Sequence, residues 1–369
     1  MPRTLILSVI LLALCCVVPA IAQQAPDNAA DETKAYATYD KLFDDFQAQR
    51  DVLLTKMDRL REQENVKPEQ LKAVEDEMKA LDNKYATALD TYIQGHPKAD
   101  DLMPARFELT VTYSRLDDKL EKAVTAADDF IKNHADSELL GDVYFVKGQT
   151  LFRIQGREKE ALAALDLFIE KYPDRQDADP ARMMRIRTLM FMNRPGDAKK
   201  SLEALIKSDR VKDDKDAKAF LQGQLENIDW IGRELPAFTQ PDLKGDVHKA
   251  DDLKGKPTLL LFWDSNSSAC LGELPFVQEA YKRYGEKMNF LGVSVNESKP
   301  ALEQWLDRNP DAMKFPTVWI DRDAENTLVK KLDVTLIPFL VLVDATGKIY
   351  RYDVRSDDML RYAANLTGE

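Results

Sequence analysis

Residues 258–277, TLLLFWDSNSSACLGELPFV, decide how the C-terminal part of this chain folds. Thr258 to Trp263 is an unbroken apolar run with the length of a fully buried strand. Asp264-Ser265-Asn266-Ser267-Ser268 follows, a composition that turns the chain and caps helices. The spacing then predicts a helix over 269–285, interrupted near its start by Pro275. Working outward, 290–295 reads as a second strand and 300–309 as a helix. Residues 317–320 lead into a loop and a short helix that ends at Leu332. A third major strand covers 339–344, Ala345-Thr346-Gly347 is a tight turn, and 348–352 returns antiparallel. A last helix begins near Ser356. On the N-terminal side, Gly232-Arg233-Glu234-Leu235-Pro236 marks the change from a helical pattern to this one.

Strand–helix–strand followed by a hairpin and a helix is the thioredoxin arrangement with an inserted αβ unit. The stretch from Leu235 through Val277 resembles the opening of the TlpA/ResA-type, exported thioredoxin-like proteins. Those typically show P-x-F-x-L-x-D, then G-K, then F-W-A-T-W-C-P-P-C-R-x-E-x-P. Residues 336–349, LIPFLVLVDATGKI, are similar to the family's second signature. The resemblance spans about 234–367. It implies a thiol-disulfide oxidoreductase fold in which a cis peptide bond before Pro338 faces the redox site.

Within that resemblance the redox motif departs from the family. Trp263, Glu273 and Pro275 fix the register without a gap, so the family's two cysteines fall on Ser267 and Cys270. In a dithiol reductase the first cysteine, at a helix N-terminus, is the attacking thiolate. The second resolves the mixed disulfide. Ser267 has no adjacent base to activate it, and Leu261 stands where thioredoxin carries a proton-transferring carboxylate. Ser267 three residues before Cys270 also resembles the Thr/Ser-x-x-Cys of peroxiredoxins, but Trp263 occupies the place of their proline. Two readings of Cys270 follow: a small apolar core residue, or a monothiol that forms mixed disulfides. Trp263, Ile337 and Pro338 are the candidate peptide-binding residues, because thioredoxin folds pair with extended segments at the edge beside this proline. Glu273 reads as an ordinary early-helix carboxylate.

The preceding half is helical. Tyr39, Phe43, Phe46, Leu53, Met57 and Leu60 step by fours and threes, as do Leu71, Val74, Met78, Leu81, Tyr85, Ala88 and Tyr92. Val66-Lys67-Pro68-Glu69 separates the two runs, predicting an antiparallel hairpin. Then ALDTYIQGHP, AADDFIKNHA and ALDLFIEKYP begin at Ala88, Ala126 and Ala164, a period of 38 residues. Tyr144…Gly148…Gly156…Ala161…Phe168…Tyr172-Pro173 resembles tetratricopeptide repeats, whose unit is about 34 residues. The aromatic stripe reads as core. His96 and His134, at equivalent repeat positions, read as helix-end residues and not as metal ligands.

At the N-terminus Arg3, the apolar run 5–18 and Ala20-Ile21-Ala22 read as a signal peptide cleaved after Ala22. The run is shorter than the roughly 20 residues of a membrane span. Leu14 is a poor neighbour for lipidation of Cys15, so membrane association is not required. Cys15 and Cys16 would leave with the signal, and Cys270 would be the sole cysteine of the mature protein. Among 369 residues, Lys+Arg 52 against Asp+Glu 64 gives a net charge of −12, which argues against nucleic-acid binding. Three His and three Cys leave little for a zinc site, and no cofactor is implied.

The sequence therefore predicts an α + α/β protein. Residues 1–22 are a signal peptide, 23–32 a flexible lead-in, 33–230 a helical hairpin with TPR-like repeats, and 234–369 a thioredoxin-like domain. The expected function is protein or peptide binding in the periplasm or cell envelope. The alternatives are a monothiol oxidoreductase acting through Cys270 and a structural envelope scaffold.

Overall fold

The computed structural model describes residues 36–63, 66–322, 324–325 and 327–368. The expected signal peptide and lead-in lie outside them. Described residues up to 201 form one compact unit and those from 202 another.

The first unit starts with α1 (Tyr39–Arg61) and α2 (Pro68–Gly95). Pro68 opens α2 at its first turn, where a missing N–H costs nothing. Lys56 pairs with Glu77 at 2.7 Å and Arg50 pairs with Asp82, a falling register that makes the two helices antiparallel. Next come α3 (Leu102–Arg115), α4 (Leu120–Asn133), α5 (Leu140–Arg153), α6 (Glu158–Lys171), α7 (Ala178–Phe191) and α8 (Pro195–Ile206). α3, α5 and α7 begin at 102, 140 and 178, so the helices themselves recur every 38 residues. The aromatic stripe is largely core: Tyr92, Tyr113, Phe130 and Phe168 are buried, and Phe107 and Phe145 pack half-buried against neighbours. His96 and His134 are the C-caps of α2 and α4 and lie against Tyr92 and Phe130, with ring centres 4.5 and 5.0 Å apart.

The second unit contains α9 (Lys215–Asp229) and the sheet. The division between the two units falls within α8, ahead of the 230–234 junction read from sequence. Residues 202–230, assigned from sequence to the helical array, group with the C-terminal part. Just past α9, Trp230 stacks on Tyr352 with ring centres 5.0 Å apart and an interplanar angle of 8°. A two-stranded hairpin not anticipated from sequence, β1 (Thr239–Pro241) with β2 (Val247–Lys249), comes next. Its turn is held by Asp242, which accepts from the Lys244 and Asp246 backbone N–H groups and lies 3.1 Å from His248 Nε2.

The main elements are β3 (Thr258–Trp263), α10 (Ser268–Tyr284), β4 (Asn289–Ser294), α11 (Lys299–Arg308), β5 (Thr317–Trp319), α12 (Leu328–Lys331), β6 (Phe339–Val343), β7 (Ile349–Tyr352) and α13 (Ser356–Thr367). The sheet order is β5-β4-β3-β6-β7, parallel on the β4 side of β3 and antiparallel on the β6 side. All residues of β3 and β6 are buried, as expected for central strands covered on both faces. Phe262 is paired with Phe339. That register brings the loop after β3, carrying Ser267, beside the Ile337–Pro338 bond that leads into β6.

Candidate functional site

Ser267 is the N-cap of α10, with extended backbone angles, and its Oγ accepts the Cys270 N–H at 3.3 Å. The position that would carry a nucleophile thus serves as a capping hydroxyl. Cys270, one turn in, is free and 0% exposed. The buried residues Cys270, Glu273, Val277, Ala280 and Tyr284 recur at helical spacing and form the inner face of α10. Of the two sequence readings, this geometry matches the core cysteine. A thiol reagent is therefore expected to leave Cys270 unmodified in the native protein and to label it stoichiometrically in denaturant. Rapid labelling near neutral pH without denaturant would instead establish an accessible monothiol.

The Ile337–Pro338 peptide bond is cis. Leu336 is 71% exposed and Ile337 half-buried, while Pro338 is buried. Trp263, which the sequence leaves open between this edge and the core, sits inside the domain. It is 0% exposed, packs edge-on against Trp305 at 5.4 Å, and keeps its indole N–H shielded without a protein acceptor. As the last residue of a central strand it belongs to the core, not to a peptide-binding hollow. Of the expected trio, Ile337 alone retains side-chain surface, and the adjoining Leu336 extends it.

Glu273, read from sequence as an ordinary early-helix carboxylate, is buried. It is 5% exposed and accepts from both the backbone N–H and the hydroxyl of Ser356, the first residue of α13. It therefore ties α10 to the N-terminus of α13, satisfying orphan donors of that helix. Burial pushes its carboxyl upward from the ordinary 4.5, against the lowering effect of the Ser356 bonds and Arg355. A raised acid binds its proton more tightly in the folded state, so stability falls as pH rises from the ordinary value through the folded one. Glu273→Gln keeps an acceptor for Ser356 and removes that titration. Its denaturation midpoint is expected to vary less than the native protein's between about pH 4.5 and neutrality. An unchanged profile would assign the pH dependence to other groups.

A second polar cluster beneath the Ser267 loop was not anticipated. Asn296 Oδ1 accepts from the Ser265 N–H at 3.2 Å and the Ser294 hydroxyl at 2.8 Å. Its Nδ2 donates to Ser265 Oγ at 2.6 Å, and Trp319 Nε1 donates to its carbonyl at 2.8 Å. The Ser265, Ser294 and Asn296 side chains are buried, and the network clamps the loop after β3 to the end of β4. The available signal was Ser294 and Asn296 at alternate positions ending an otherwise apolar strand. For Glu273 it was the 270–273–277–280 stripe. Among the described residues no cluster of metal-ligating side chains occurs, and no helix is long and apolar enough to cross a membrane.

Comparison with known proteins places the site in context. Residues 231–355 match the model of the AhpC/TSA family. The thiol-disulfide oxidoreductase ResA of Bacillus thuringiensis subsp. konkukian (strain 97-27) is 32% identical over 120 residues, covering 32% of this chain and 66% of that protein. ResA of Bacillus subtilis (strain 168) is 28% identical over 121 residues, covering 32% and 65%. The chain thus spans just under two thirds of these relatives' length. A solved thioredoxin domain of a thiol-disulfide oxidoreductase from Bacteroides vulgatus aligns with a TM-score of 0.35 and 26% identity, covering 37% of this chain and 97% of that one. The C-terminal domain is thioredoxin-like and similar to the ResA oxidoreductases. The helical unit lies outside the residues matched by the family model.

Proposed function

We propose that this is an exported cell-envelope protein whose thioredoxin-like domain holds a protein or peptide partner without dithiol chemistry. The observation that carries the reading is the state of the two redox positions. The Ser267 hydroxyl caps α10, and Cys270 is buried behind it. The edge before Pro338 meanwhile keeps apolar surface through Leu336 and Ile337. An extended segment laid along that edge gains main-chain pairing and apolar burial, neither of which needs a thiol. The repeating helices of the first unit offer a second surface of the kind used by solenoids. Export is supported by the apolar leader ending in Ala20-Ile21-Ala22.

The test uses the full chain and an unfolded, carboxymethylated polypeptide, which has no free thiol, with binding followed by fluorescence anisotropy. Leu336→Asp is expected to weaken binding by about tenfold or more, because burying a leucine contributes roughly 1.5–3 kcal/mol. Two results overturn the proposal. Disulfide reduction above the rate of a Cys270→Ser control would establish the monothiol oxidoreductase. Equal, negligible binding by native and Leu336→Asp protein would leave the domain a structural scaffold.

A further inference from the structure

Three asparagines in the chain are followed two positions on by a hydroxyl residue, with no proline between: Asn266-Ser267-Ser268, Asn296-Glu297-Ser298 and Asn365-Leu366-Thr367. That spacing is the acceptor pattern for N-linked glycosylation of exported proteins, and it also recurs by chance. Burial and hydrogen bonding separate the three. A sugar on an amide stays in water, so its asparagine has to be exposed in the folded chain. Asn296 fails that condition. It is 2% exposed, and its Oδ1 and Nδ2 are both committed to Ser265 and Ser294. Its Ser298 caps α11, accepting the Ala301 N–H at 3.3 Å. Asn365 lies inside α13, where the Thr367 hydroxyl donates to the Ala363 and Ala364 carbonyls at 3.0 and 3.1 Å.

Asn266 differs on each count. It is exposed, on the loop between β3 and α10. Asp264 Oδ1 accepts the Asn266 N–H at 2.8 Å, and the Asp264 carbonyl accepts the Ser267 N–H at 3.2 Å. These bonds fix the backbone of a turn and use no side-chain atom of Asn266. Ser268, two positions on, is exposed as well. Among the described residues, neither the Asn266 amide nor the Ser268 hydroxyl has a protein hydrogen-bond partner. Both groups that the acceptor pattern requires are therefore in water and unengaged.

We propose that Asn266 is the acceptor for an N-linked oligosaccharide. The inference rests on the export part of the proposed function, because this modification is made outside the cytoplasm, and it is independent of how a partner is held. The donor is an oligosaccharide on a polyprenyl diphosphate, delivered by an oligosaccharyltransferase. The bond that forms joins Asn266 Nδ2 to the anomeric carbon of the sugar. The bond that breaks joins that carbon to a phosphate oxygen, and the diphosphate leaves with the bonding electrons. The amide gives up one proton to a base of the transferase, and nothing is oxidised or reduced. The product carries a bulky, hydrated group on the loop that bears Ser267.

The test uses the full chain with its leader, made in bacteria that contain an oligosaccharyltransferase and its polyprenyl-linked donor. Intact-mass spectrometry of the envelope fraction is expected to show one added oligosaccharide, and fragmentation should map it to the peptide holding 264–268. Asn266→Gln and Ser268→Ala should each abolish the added mass. Ser268→Thr, which keeps a hydroxyl at the required position, should retain it. An unmodified chain that starts at Gln23 overturns the proposal and leaves the export reading standing. Added mass at Asn296 or Asn365 in place of Asn266, or added mass that survives Ser268→Ala, overturns it too. Fractionation that finds the chain only in the cytoplasm overturns both this proposal and the export reading.

Discussion

Ser267→Cys is expected to raise disulfide reductase activity well above that of the native chain. The new thiol would sit at the N-cap of α10, where the exposed N–H groups and the helix dipole favour a thiolate. Its ionisation should fall below the ordinary thiol value of about 8.5. Cys270, three residues on and buried on the inner face of the same helix, is then the resolving thiol. The loss of the serine cap, about 0.5–2 kcal/mol, is small against a typical domain stability of 5–15 kcal/mol. Reduction of insulin by the Ser267→Cys protein with dithiothreitol as electron source, set against the native chain and a Ser267→Cys/Cys270→Ser double variant, measures the effect. Turnover in the single variant alone shows that the scaffold is still redox-competent and lost only its nucleophile. An inert single variant would show that other parts of the machinery are missing, with Leu261 in place of a proton-transferring carboxylate the first candidate.

Trp263→Ala should remove much of the domain's stability, about 3–5 kcal/mol, because it deletes the largest fully buried side chain at the end of the central strand. Trp263→Phe should cost far less than the volume change suggests. It retains an aromatic partner for Trp305 and eliminates an indole N–H that lacks a protein acceptor. Denaturant midpoints of the two variants separate these contributions. If Trp263→Ala is nearly neutral while polypeptide binding falls, Trp263 belongs to the binding surface after all.

The fold of the second unit was legible because its signals are local. Apolar runs of strand length at Thr258–Trp263 and Phe339–Val343, and helical spacing between them, located nearly every element to within one or two residues. Two departures have a common origin. β1 and β2 are three residues each with mixed burial, too short to imprint an alternation. Residues 202–230 carry the same amphipathic spacing as the repeats, and the partner of Trp230 lies more than a hundred residues away at Tyr352.

The candidate site divides along the same line. The sequence by itself determined which side chains stand at the two aligned positions, Ser267 and Cys270. It also located Pro338, because that register follows from the flanking residues. Tertiary structure alone decided the environment of each group. It made Cys270 and Trp263 core, gave Ser267 a capping bond, made Glu273 a buried tie to α13, and gathered Ser265, Ser294 and Asn296 into one network. Residue identity sets what a side chain can donate, accept or transfer. Burial and partners come from chain segments brought together by the sheet, and the sequence around a single residue carries little trace of them.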